Sequence, residues 1–148
     1  MITRRASSAF PLRRILALAV TALALAACED STGADDPREV TIGGIFSLTG
    51  TWSSLGVTSK AAMELAVEDA NRFAAGQGIT FRADIRDTKL EPATALAAVQ
   101  SLRTAGVQLI IGPQSSAELA AIKSYVDANP LIIVSQSSTA GSLAIAGD

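Results

Sequence analysis

From Val40 onward the chain alternates short apolar runs with longer stretches in which apolar residues recur at helical spacing. Val40 to Phe46 (VTIGGIF) reads as a buried strand with β-branched residues, its Gly43-Gly44 pair permitting close approach of a neighbour. Over about Ser53 to Ala75, the residues Ala62, Leu65, Ala66, Ala70 and Phe73 form an apolar stripe, and Gly76 and Gly78 close the helix. Ile79 to Ile85 (ITFRADI) alternates as a strand does, and its outward Arg82 and Asp84 mark an edge position. Pro92 suits the first turn of a second helix with the stripe Ala95, Val99 and Leu102, which stops at Gly106. Val107 to Ile111 is the third strand. Ser115 precedes Glu118 at capping-box spacing, and Leu119, Ile122 and Val126 follow at helical intervals. Leu131 to Val134, after Asn129-Pro130, is the fourth strand. Alternating strands and helices predict an α/β fold, a parallel sheet with right-handed crossovers and flanking helices on both faces.

The first residues differ in kind. Arg4, Arg5, Arg13 and Arg14 precede an apolar run, Ile15 to Ala27, interrupted only by Thr21. A basic start, a short apolar stretch and small residues at its end make a secretory signal over residues 1–27. The run falls short of the roughly 20 apolar residues a membrane span needs. It ends Leu25-Ala26-Ala27-Cys28, which resembles the lipobox of bacterial lipoproteins. That resemblance implies that the Cys28 thiol takes up diacylglycerol and becomes the new N-terminus, fixing an exported protein to a bacterial membrane. Two or more acyl chains anchor stably where one does not. Residues 28–39 (CEDSTGADDPRE) are polar and acidic and read as a flexible tether to a folded part over residues 40–148.

Composition narrows the chemistry. A chain of 148 residues is one domain's worth, and a net charge of −2 suggests neither nucleic acid nor disorder. The absence of histidine excludes Ser–His and Cys–His pairs, and Cys28, the lone cysteine, excludes an intrachain disulfide or a cysteine-cluster metal site. No GxGxxG follows the first strand and no lysine follows Gly50, so neither dinucleotide nor P-loop phosphate binding is supported. A Ser–Lys pair would need Lys60 or Lys123, both on helix bodies. Asp84 and Asp87, flanked by Arg82 and Arg86, read as a solvated strand end. The chain is read as a non-enzyme without metal or cofactor.

In a parallel sheet of order 2-1-3-4, ligands sit beyond the carboxyl ends of strands one and three, where the crossovers part to opposite faces. The loops expected there are Ser47 to Leu55 (SLTGTWSSL), Gly112 to Ser116 (GPQSS) and Ser135 to Thr139 (SQSST). All are rich in small polar residues and none carries a charge. Hydroxyls and free N–H groups at helix starts favour an anionic group such as a carboxylate. Ser115 and either Ser53 or Ser54 serve as N-caps, but capping accounts for neither Ser116 nor the set Ser137, Ser138 and Thr139. Trp52 either stacks on a ligand or packs between loop and helix.

IGGIFSLTG, a helix with ELAVEDAN, DTKLEPATALAAVQSL, GVQLIIGPQSSAELAAI and LIIVSQSST stand in this order with compatible spacings. Together they resemble the branched-chain amino-acid and amide solute-binding proteins of bacterial ABC importers, of the type I periplasmic-binding fold. The resemblance implies two α/β lobes closing on a ligand, with Ser115, Ser116, Ser137, Ser138 and Thr139 gripping its carboxylate. A helix-start position that is often aromatic in the family is Leu55 here, with Trp52 nearby. The chain then reads as a partial N-terminal lobe, expected to expose apolar surface and to bind ligand weakly when alone. The implied partners are a small amino-acid or amide ligand, ABC permease subunits and, through its lipid anchor, a membrane. A ligand sensor of the same fold and a flavodoxin-like enzyme are the alternatives.

Overall fold

The computed structural model describes residues 38–144. The expected secretory segment, Cys28 and the expected tether up to residue 37 lie outside the described residues. The expected alternation forms in order: β1 (Arg38–Phe46), α1 (Ser53–Phe73), β2 (Ile79–Asp87), α2 (Pro92–Thr104), β3 (Leu109–Ile111), α3 (Ser116–Asp127), β4 (Ile132–Val134) and a short 3₁₀ turn (Gly141–Leu143). All strand pairs are parallel, in the order β2-β1-β3-β4, so β2 is an edge as its alternating charges predicted. Strand β1 starts at Arg38, so Arg38 and Glu39 belong to the sheet and not to the tether. They pair with Ile79 and Thr80, and the Glu39 carboxylate meets Arg82 at 3.1 Å.

One face of the sheet is closed by α2 and α3. Ile45, Ala95, Val99, Leu102, Ile110 and Ile122 are fully buried there, which accounts for the predicted α2 stripe. Burying each large aliphatic side chain of this set contributes about 1.5–3 kcal/mol. The glycine pair in β1 makes room for both layers. A Cβ on Gly43 would meet Leu102 Cδ1 at 3.0 Å, and one on Gly44 would meet Met63 Sδ at 2.8 Å.

The opposite face is only half covered. Helix α1 lies over β1 and β2, and Asn71 ties it to β2 by exchanging two hydrogen bonds with the Phe81 backbone, at 2.7 and 2.9 Å. A groove of about 430 Å³ runs beside it, lined by Ile42, Phe46, Met63, Val67, Leu109 and Ile111 among others. The predicted α1 stripe is therefore only partly right. Ala62, Ala66 and Ala70 border the groove, but Leu65 and Phe73 face outward at 56% and 85% exposure. Ile132 and Val134 of β4 are exposed as well.

Candidate functional site

Parallel strands deliver their following loops to one edge of the sheet, and the register fixes which loops touch. Between β1 and β3, the loop after β1 is tied to the loop after β3 by the Ser47 N–H, which donates to Gln114 Oε1 at 2.8 Å. The loop after β4 is tied to the same place. Ser135 Oγ donates to Pro113 O at 2.7 Å, Ser137 Oγ donates to Gln114 O at 2.5 Å, and Thr139 N donates to Ser116 Oγ at 3.2 Å. Ser59, on α1, lies within 3.5 Å of Gln114 Nε2 and 3.4 Å of Gln136 Nε2. The three uncharged loops thus form one connected rim at the point where the crossovers diverge. The apolar groove lies below this rim and shares only Ser59 and Gln136 with its hydrogen bonds.

A serine hydroxyl has one proton and two lone pairs, so the hydrogen bonds show what each can still offer. Ser115 is the α3 N-cap and is heavily engaged. Its hydroxyl donates to Glu118 Oε2 at 2.7 Å and accepts from Glu118 N at 3.2 Å, while its own N–H donates to Oε2 at 3.0 Å. Ser116 Oγ accepts from both Thr139 N and Ala140 N at 3.2 Å, which leaves its proton to donate. Ser135 gives its proton to Pro113 O, so in its 2.7 Å contact with Ser138 the proton comes from Ser138. Ser137 and Ser138 therefore keep lone pairs and act as acceptors. Thr139 is exposed, and its hydroxyl has no hydrogen-bond partner among the described residues.

The backbone adds donors. Ser116 and Ala117 open α3, and N–H groups in a first turn have no intrahelical acceptor. The helix field at this end is met by Glu118, which is fully buried and whose Oε1 lacks a partner among the described residues. Trp52 is 39% exposed and is itself the N-cap of α1, without a side-chain capping bond, so neither Ser53 nor Ser54 caps that helix. Leu55 lies in the first turn of α1, exposed.

Three residues of this edge were not singled out from the sequence as parts of a site. Gln114, 3% exposed, joins the loops after β1, β3 and β4. Thr88 is fully buried, with its Oγ1 3.3 Å from Ser47 Oγ. Asp87 is not the solvated strand end that its arginine neighbours suggested. Asp84 pairs with Arg86 at 2.8 Å, but the Asp87 carboxylate receives the N–H groups of Leu48, Thr49 and Lys89 and the Thr49 hydroxyl. Burial pushes this carboxyl up, yet the bonds from the Thr49 side chain and the three N–H groups outweigh it and hold it below its ordinary value.

Residues 39–146 match the family described as periplasmic binding protein. An uncharacterized protein of Methanocaldococcus jannaschii is 30% identical over 103 residues, 68% of this chain and 25% of that protein. Among solved structures, this chain is similar to the branched-chain amino acid transporter substrate binding protein LivJ from Streptococcus pneumoniae in complex with isoleucine. The TM-score is 0.65 at 27% identity, over 72% of this chain and 31% of that one. It is similar too to an ABC transporter substrate-binding protein from Desulfitobacterium hafniense in complex with Leu, at TM-score 0.60 and 29% identity, over 72% of this chain and 31% of that one. The chain spans about a quarter to a third of the length of these proteins.

Proposed function

The chain belongs to the periplasmic binding protein family, and from that premise we propose that it supplies one lobe's share of the ligand site in a non-enzymatic, extracytoplasmic solute receptor. The ligand is a small amino acid or a related amide. One observation carries this reading: the rim pairs unspent donors with unspent acceptors and holds no charged side chain facing outward. The N–H groups of Ser116 and Ala117 with the hydroxyls of Ser116 and Thr139 receive a carboxylate. The lone pairs of Ser137 and Ser138 receive the ammonium or amide N–H beside it. Trp52 and Leu55 border the ligand from the loop after β1. Ser115 serves the site indirectly, by setting the start of α3.

A second lobe closes over the ligand, and an ABC permease reads the closed form. Cys28 carries the lipid that keeps the receptor at the membrane. Two of the similar structures hold isoleucine and leucine, which favours amino acids as the first ligands to try. The test is calorimetric titration of L-leucine and L-isoleucine into a polypeptide that joins this lobe to a second one. Ser116→Ala with Thr139→Ala removes two bonds to a charged group and lowers affinity on the order of 100-fold. Ser115→Ala leaves affinity within about threefold while lowering stability. Unchanged affinity in the double variant moves the site elsewhere. The lobe alone binds weakly or undetectably, and tight, saturable binding by it contradicts the two-lobe reading.

A further inference from the structure

We propose that Asp87 is a positioning residue for the ligand rim: its carboxylate clasps the loop after β1 and so fixes where Trp52 stands. The proposal rests on the reading of that rim as a ligand site. The parallel register sets Asp87 beside Phe46, the last residue of β1, so its side chain reaches the loop that follows. Oδ1 accepts from Leu48 N at 2.9 Å, Thr49 N at 3.2 Å and Lys89 N at 2.8 Å, and Oδ2 accepts from Thr49 Oγ1 at 2.6 Å. One carboxylate therefore binds two loops at once. The turn that brings the second loop there is unusual, because Lys89 and Leu90 both have positive φ, 57° and 64°. Non-glycine residues adopt that conformation when surrounding contacts impose it. Gly50 packs against the same turn, and a Cβ on it would lie 3.0 Å from Lys89 O. Trp52 follows three residues after the clasped Thr49 and carries no side-chain cap of its own.

Ionisation strengthens the clasp: the three N–H partners at Oδ1 only donate, the Thr49 hydroxyl at Oδ2 can donate or accept, and bonds to a charged acceptor are roughly twice as strong as neutral ones. The loop after β1 brings no charged residue. Lys89 and Glu91 share the loop after β2, with Glu91 accepting from Thr94 at 2.8 Å, and Arg86 and Asp84 on β2 pair with each other. The carboxyl titrates lower folded than unfolded. Its contribution is therefore complete above the unfolded value of about 3.9 and is lost as pH falls through the lower folded value.

Trp52 is the chain's one tryptophan, so acrylamide quenching of its fluorescence reports this loop alone. In the 148-residue chain, Asp87→Ala, which removes every acceptor of the clasp, is expected to raise the quenching constant about twofold, from the present 39% exposure toward that of a free loop. Wild-type quenching should rise only at pH below the ordinary carboxylate range, and the Ala variant should lack that step. Far-UV circular dichroism checks that the variant is folded. Should it not fold, Thr49→Val and the wild-type pH profile carry the test. Equal quenching and equal pH profiles in wild type and Asp87→Ala overturn the proposal. L-leucine separates the two readings: altered quenching in the variant with no leucine response from the two-lobe form leaves the clasp standing and removes the ligand site. A leucine response with unaltered quenching does the reverse.

Discussion

Gly56→Ala sets two opposed effects against each other within α1. Ala in a helix interior is favoured over Gly by about 1 kcal/mol, so propensity alone predicts a more stable protein. The packing predicts the opposite. A Cβ at Gly56 would stand 1.9 Å from the Ser47 carbonyl oxygen and 2.4 Å from its carbon, whereas non-bonded atoms sit comfortably at about 3.5 Å. One side must retreat by more than an ångström, and the obstacle is main chain. Ser47 N is tied to Gln114 at 2.8 Å and Leu48 N to Asp87 at 2.9 Å, so the strand end is held on both flanks. Overpacking costs about 1–3 kcal/mol, and a tethered backbone belongs at the upper end. The net expectation is a loss of about 2 kcal/mol. Urea unfolding followed by circular dichroism measures it: with a slope near 2 kcal/mol/M, the midpoint falls by about 1 M. Thr58→Ala, exposed on the same helix, supplies the propensity effect without the clash and is expected to be neutral or slightly stabilising. A Gly56→Ala midpoint equal to or above wild type refutes the account of how α1 meets β1.

Two further substitutions probe the rim. Gly112→Ala places a side chain at φ 109° with its Cβ 2.2 Å from Ile45 O, and it should cost about 3 kcal/mol or more in the same assay. Ser115→Ala removes the α3 cap and the hydroxyl donor to the buried Glu118, lowering stability by about 1–2 kcal/mol. Adding Glu118→Ala should then cost less than it does alone, and a double-mutant cycle with no interaction energy refutes the capping box as the stabilising unit.

The parts of the fold visible in the sequence were those written by local periodicity. The α2 stripe Ala95, Val99 and Leu102 is fully buried, and the Ser115–Glu118 box forms as its spacing indicated. The α1 stripe misled because periodicity shows which side of a helix is apolar, not whether anything covers it. Leu65 and Phe73 are left exposed, with nothing among the described residues covering them. The three loops and their meeting point followed from strand order, but the residues that join them did not. Gln114 reaches Ser47 across 67 positions and Asp87 reaches Thr49 across 38. Such contacts are set by strand register, which local sequence leaves open. The arginines beside Asp87 even pointed the wrong way, since Arg86 is engaged by Asp84.

Spacing alone set Ser115 apart as an N-cap but left the other rim serines equivalent, and the hydrogen bonds divide them. Ser115 and Ser135 spend their protons holding the framework, whereas Ser116 keeps its proton and Ser137 and Ser138 keep lone pairs. On the proposed reading this division orients the ligand, with its anionic end at the start of α3 and its donating end toward the loop after β4. The field of α3 contributes less to that choice than its position suggests. A helix start is equivalent to roughly half a positive charge, and the Glu118 carboxylate, buried beside it, already answers that charge. On that reading recognition rests on individual, directed groups whose loops are held in place by Gln114 and Asp87. Displacing one of these supports by an ångström therefore weakens binding without altering any residue that touches the ligand.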